Sequence, residues 1–438
     1  MNFHHISHCR FSGYHGHGTR WEQLAIGSWG ETYCMDIDMG CTNKTITDIR
    51  MLMTKGVDER KWHWSDAGHG GDWLKLSIEG NRLFPFQWKC AYLSHGPCLT
   101  DVRYAGWYGE QKHVYVSATV RTLRTDDYAR TFTDLRYEFK RNLSSSKASF
   151  FELGTAGYIS TPQIAFGNHE GLTEERSVTD IKPGETYINQ KQMEGPAPWW
   201  FGFPKQAQWN DSKGGKGWRA VVIRSFDACF AGVRYSNPSF SLCNQGRGDG
   251  NPNLIFIMKP PANVNNFEKG DWVSFDIEVV TFPRKADDYY GPNENFHNHL
   301  TAHPDSWITI HREAAENDTV ITIHSGGQVK SHYPIIIASA NQSFVKFTIV
   351  GGVGAVPIQF TGLRTRHHVL YRCSEEGEIA LDQAVHSNDF WQTESEHVTI
   401  ESSGLWMCQY SLAFNVTLDA CPQSTWILRE EPIKAKGK

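Results

Sequence analysis

The stretch Ala129–Phe139 reads ARTFTDLRYEF. Side chains of an extended chain alternate between two faces, so Ala129, Thr131, Thr133, Leu135, Tyr137 and Phe139 point one way. Arg130, Phe132, Asp134, Arg136 and Glu138 point the other way. An apolar face backed by a charged one at period two is the pattern of a half-buried strand, and no helical phase fits it. His113–Val120 (HVYVSATV), Trp272–Phe282 (WVSFDIEVVTF) and Val345–Val350 (VKFTIV) carry the same signal in β-branched and aromatic residues. Gly, Pro, Asn and Asp clusters punctuate these runs, as they do between antiparallel strands. The fold class that follows is all-β, built of antiparallel strands.

Composition sets the outer bounds. The 438 residues are 39% hydrophobic, 21% charged and 13% aromatic, which suits packed globular structure and excludes a disordered or collagen-like chain. With 43 Lys and Arg against 48 Asp and Glu, the formal charge of −5 provides no broad basic field, so nucleic acid is not an expected partner. No run approaches the roughly 18 apolar residues needed to cross a bilayer as a helix, so no membrane partner is expected either. Met1–Cys9 lacks the apolar centre of a signal peptide, leaving a cytoplasmic protein or one whose leader is missing. None of the ten cysteines falls in CxxC spacing. Their number weakly favours a secreted or periplasmic location. The segment Tyr289–Ser306 (YYGPNENFHNHLTAHPDS) reads as a linker or long loop, which places a larger N-terminal region at 1–306 and a C-terminal region of short strands at 307–438.

Four clusters bear chemistry. Gly195–Trp209 (GPAPWWFGFPKQAQW) concentrates Trp199, Trp200, Phe201, Phe203 and Trp209 beside Lys205 and Gln208. Such rings either stack on sugars or plug the end of the sandwich. Trp62–Trp73 sets His69 between Asp66 and Asp72 in a glycine-rich loop, where a carboxylate can hold the imidazole in one tautomer for acid–base work. Gly167–Gly171 (GNHEG) carries Asn168, His169 and Glu170 at a strand end, as an active-site rim or as a plain turn. Tyr289, Tyr290, Asn293, His297, His299 and His303 form the fourth. The HxHx3H spacing permits a divalent metal if the first two histidines alternate on an extended segment, although no metal or other cofactor is required. His15 and His17 make a further, unspecific pair. The Arg-bearing face of Ala129–Phe139 is either solvated or a binding surface, since guanidinium forks match carboxylates and hydroxyls. Phosphate loops, HExxH, GxSxG and helix-opening GxGxxG motifs are absent, which sets nucleotide chemistry aside.

Gly106–Phe139, with its R-T-D-D-Y-x-R core at Arg124–Arg130, resembles the sheets of galactose-mutarotase-like β-sandwich domains in carbohydrate-active enzymes, polysaccharide lyases among them. Glu268–Asn293 is similar to later strands of such a sandwich, and Gly351–Leu363 with Asn388–Gln392 to its appended β-domain. No helical toroid domain of the kind that precedes many lyase sandwiches is legible, and no family motif matches residue by residue.

The resemblance implies a large antiparallel, mutarotase-like β-sandwich as the catalytic domain at 1–306, a smaller C-terminal β-domain at 307–438, and action on a polysaccharide, and the residue chemistry then suggests a lyase that cleaves a uronic-acid polysaccharide by β-elimination. Such a reaction needs a base, a proton donor and groups that neutralise the substrate carboxylate. The expected catalytic set is Tyr290, His169, His69, Asn168 and Arg130, with Trp199, Trp200, Arg136, Tyr289, His297 and His299 binding the polysaccharide or oligosaccharide. A glycoside hydrolase using Glu170, Asp127 or Asp134 is the first alternative. A non-catalytic glycan-binding protein is the second.

Overall fold

In a computed structural model of the chain, five strands between residues 4 and 64 are described as backbone. Residues 76–431 are described with interruptions, chiefly at 124–128, 155–162, 207–215, 245–253, 290–293 and 382–390. The first five strands pair in sequence order as an antiparallel meander. The chain divides into two compact units, one comprising Met1–Tyr92, Val102–Thr122 and Asp127–Ala315, the other Leu93–Asp101, Leu123–Asp126 and Glu316–Lys438.

The first unit is built on a ten-stranded sheet. At its centre Val114–Leu123, Ala129–Phe139, Trp272–Pro283 and Lys216–Phe230 lie side by side, all antiparallel. Alternation along Ala129–Phe139 is realised as expected: Leu135, Tyr137 and Phe139 are buried, whereas Asp134, Arg136 and Glu138 point to the opposite, outward face. The inward face packs on a four-stranded sheet of Glu152–Gly154, Leu254–Lys259, Ser239–Asn244 and Thr186–Gln192. Aromatic rings join the two layers. Phe166 and Phe201 of the large sheet meet Phe240 and Phe256 of the small one at centroid distances of 5.1 and 5.3 Å. Both inner faces interdigitate in this way, as in other aligned sandwiches.

The outward face is divided in two. One part is covered by helices α1 (Glu294–Ala302) and α2 (Trp307–His311), whose Phe296, Leu300 and Ile310 bury against Trp200, Trp218, Ala220, Val222 and Val280. The loop expected over 289–306 is thereby corrected. Phe296 and Leu300 are spaced i, i+4, and burying that pair holds α1 although Asn, His and Thr are indifferent helix formers. Ser306 starts α2 by accepting a hydrogen bond from the Ile308 N–H at 3.2 Å. The helices sit close because Gly202 lies beneath Ile310: a Cβ there would stand 2.5 Å from Ile310 Cδ1. Residue 307 thus falls inside a helix of the first unit, and the chain enters the second unit after Ala315.

The second unit pairs two five-stranded sheets. All neighbouring strands in them are antiparallel except Ile335–Ala338 with Ala355–Leu363. Its core is its own: Phe347 of one sheet meets Phe360 of the other at 5.6 Å, and Phe360 meets Phe414 at 6.0 Å. Gly351 and Gly352 have φ of +81° and +84°, a left-handed conformation that glycine adopts without a Cβ penalty. Both units are therefore β structures. Among the described residues no helix is long and apolar enough to cross a membrane.

Candidate functional site

Beyond the helices the outward face of the large sheet is polar. Strand register places Thr119, Asp134, Asp276 and Ser225 in one row across four strands. Directly opposed side chains on one face have Cβ atoms about 4.5–5.5 Å apart, so two aspartates in register repel when both are ionised. The conflict is relieved by protonation. Burial, followed by the charge of Asp134, pushes the Asp276 carboxyl up to about 6. Ser225 Oγ donates to Asp276 Oδ2 at 2.5 Å, and the Arg121 guanidinium pairs with Asp134; both act against the rise without cancelling it.

A β-bulge at Ile223–Ser225 helps to build this row. An extra residue in one strand turns two successive side chains to the same side. Arg224 and Ser225 are that pair, Arg224 donating through Nε to the fully buried Glu278 at 2.8 Å while Ser225 reaches Asp276. Further along, the Arg136 guanidinium lies 4.4 Å from the centroid of Trp272 and donates to Glu138 at 2.8 Å. Arg136 and Lys140 together hold the Glu138 carboxyl below its ordinary value. Asp134 is 44% exposed, so the row is open to solvent at the carboxyl pair.

Chemically, an Asp276 carboxyl raised to about 6 can give a proton near neutral pH beside the oxygens of Asp134. Guanidinium groups flank it.

Several expected site residues are placed elsewhere. Trp199 and Trp200 are 4% and 0% exposed, in the sandwich core and under the helices respectively. No sugar ring can stack on them there. Tyr289 is also core, packed edge-on against Phe296 at 4.9 Å. The Asn168 amide serves the fold: Nδ2 donates to the Glu194 carbonyl at 3.1 Å and Oδ1 accepts from the Glu170 N–H at 2.7 Å.

His169 and Glu170 are exposed on the adjoining turn. His297 and His299 lie on α1, where positions two apart point to different sides, so the extended arrangement expected of HxHx3H does not form. His299 instead pairs with His303 at 4.9 Å and contacts Thr309 at 3.2 Å. Burial, then Arg312 and His303, lower its ring to about 4. Among the described residues no His, Cys, Asp and Glu cluster suits a metal ion.

Arg136 stands on the polar face. Tyr290, His69, Asp127, Trp209, His15 and His17 lie outside the described residues, as do the side chains of Arg130, Lys205 and Gln208. Asp276, Ser225, Arg121 and Trp272 were not anticipated. The available signal was an aspartate inside the apolar run WVSFDIEVVTF, at the same outward parity as Trp272.

No family model matches the chain, and no curated protein matches it. Among solved structures, the galactosidase domain of alpha-galactosidase-sucrose kinase AgaSK aligns with TM-score 0.35 and 10% identity over 60% of this chain and 40% of that one. The GH36 alpha-galactosidase AgaA from Geobacillus stearothermophilus aligns with TM-score 0.30 and 8% identity over 68% and 42%. A mutant of the heparan sulfate lyase HepC from Pedobacter heparinus aligns with TM-score 0.28 and 9% identity over 75% and 40%. The chain spans about two fifths of the length of these proteins. Likenesses of this size carry no functional argument.

Proposed function

We propose that the chain is a polysaccharide lyase that cleaves a uronic-acid-containing polysaccharide by β-elimination at the outward face of the large sheet. The observation that supports this reading most is the register-opposed Asp134–Asp276 pair, its Asp276 carboxyl raised to about 6, with Arg121 and Arg136 on the same face. The Asp134 carboxylate takes the C5 proton as the C5–H electrons form the C4–C5 double bond. The C4–O4 bond breaks, and the Asp276 carboxylic acid protonates the departing oxygen. One proton enters the pair and one leaves it, so the pair ends with the single proton it began with. Cationic Arg121 and Arg136 suit a substrate carboxylate whose negative charge grows as the α-proton is lost. An exported location accords with a polymeric substrate, and the scheme needs no metal or cofactor.

The test is incubation of the full chain with alginate, glucuronan, ulvan and glycosaminoglycans between pH 5 and 8, following the ultraviolet absorbance of the new double bond. Absorbance rising with one polymer supports elimination and names the substrate. New reducing ends without that absorbance would replace it with hydrolysis. Retention of a polymer without any product would replace it with glycan binding.

A further inference from the structure

A second feature of the first unit lies on the same outward face, at the far end of the strand that carries Ser225. A cleft of ≈ 640 Å³ opens between the Trp218 end of Lys216–Phe230, the edge strand Gly171–Ser177 and the α1–α2 connection. Its volume lies within the range of small-ligand sites. Trp307 forms one wall and tilts against Trp218 at 4.4 Å between centroids. Leu172 and Ile308, 48% and 52% exposed, extend the apolar surface, and such large exposed aliphatics beside an aromatic wall mark a contact surface.

Hydrogen-bonding groups are set into this apolar lining. Glu175 and Gln163 line the cleft. Arg284 lies over the Trp218 ring at 4.7 Å and is fixed by an ion pair with Asp305 at 2.5 Å. Asp305 has φ of +53°, a left-handed conformation that costs energy for a residue with a Cβ. Its N–H donation to the Arg284 carbonyl at 2.9 Å holds it there. Arg284 is thereby set in place before any ligand arrives.

Aliphatic and aromatic walls interrupted by an amide, a carboxylate and a guanidinium match a pyranose, which has a C–H face and a rim of hydroxyls. We infer that this cleft is a second saccharide site, separate from the carboxyl pair, that holds one or two sugar units of the polysaccharide. Ser225 lies seven positions beyond Trp218 on the same strand, which places the two sites roughly 20 Å apart. One bound polymer chain can reach both. The inference rests on the saccharide reading of the substrate but not on elimination.

The experiment is calorimetric titration of the full chain with tetrasaccharides of alginate, heparan sulfate and cellulose. At least one should bind, and Trp307→Leu and Glu175→Gln should each weaken it by about tenfold or more. Glu175→Gln, on an exposed edge-strand position, should keep the wild-type unfolding midpoint, so its loss of binding cannot be a loss of fold. Asp276→Asn should bind the same tetrasaccharide within about twofold of wild type. The inference is overturned if no tetrasaccharide binds at millimolar concentration, if both cleft variants bind like wild type, or if Asp276→Asn alone abolishes binding. Binding lost in the cleft variants with no polymer degraded would support the site while removing the lyase reading. Degradation with cleft variants indistinguishable from wild type would do the reverse.

Discussion

At Asp276, a single carboxyl makes the stability of the sheet depend on pH. Its folded value is raised to about 6 from an unfolded value near 4. A group raised on folding stabilises fully below its unfolded value, and that contribution is lost as pH rises through the folded one. Between pH 4 and 7 the wild type should therefore lose ~1–3 kcal/mol that Asp276→Asn retains, because the amide can donate to Asp134 at every pH. Urea unfolding at pH 4, 6 and 8 measures this: the variant should gain midpoint over wild type at pH 8, with the gap closing at pH 4. Asn168 should behave in the opposite sense. Asn168→Ala removes both hydrogen bonds of a residue only 5% exposed and should cost ~1–3 kcal/mol in the same assay, with turnover per folded molecule unchanged. Legibility differs between these residues for a physical reason. Asp134 and Arg136 could be put on an outward face from period two alone. The partner of Asp134 depends on the register between strands 129–139 and 272–283, which no local pattern contains. Trp199 and Trp200 could equally have been core or surface, because aromatic density is the same in either case.

At the level of elements, the strands were legible and α1 was not. Strand alternation runs over ten or more residues, whereas α1 has one buried i, i+4 pair within nine residues rich in poor helix formers. Only the apolar half of the outward face, formed by Trp200, Trp218 and Val222, makes that segment helical, and this surface is assembled from distant strands. The docking geometry leads to a test. A Cβ at Gly202 would meet Ile310 Cδ1 at 2.5 Å, the tip of a side chain that can turn. At Gly167 it would meet the Trp200 ring at 2.1 Å and the Gly171 carbonyl at 2.5 Å, neither of which can yield. Gly167→Ala should therefore lower thermal stability much more than Gly202→Ala, whose cost should be about 1–3 kcal/mol. Adding Ile310→Val, which removes the Cδ1 in question, should recover part of the Gly202→Ala loss. Equal effects of the two alanines, or no recovery, would contradict this account of how α2 sits on the sheet.

For the whole molecule, two separate cores predict two separate unfolding steps. Tryptophan fluorescence and far-ultraviolet circular dichroism followed in urea should give non-coincident transitions, and one shared sigmoid would show that the units unfold together. The proposed function and the inferred saccharide site both fall on the outward face of the first unit, one calling for proton transfer at the carboxyl pair and the other for ring contact at the cleft. The lyase account ties the pH-dependent cost of Asp276 to its role as the proton donor. The most direct measurement is the initial rate of double-bond formation by wild type and Asp276→Asn on the polymer that wild type cleaves, at the pH of its maximal rate. The account predicts a rate at least about a hundredfold lower in a variant that is no less stable than wild type. A well-folded Asp276→Asn that forms the double bond at the wild-type rate would contradict it.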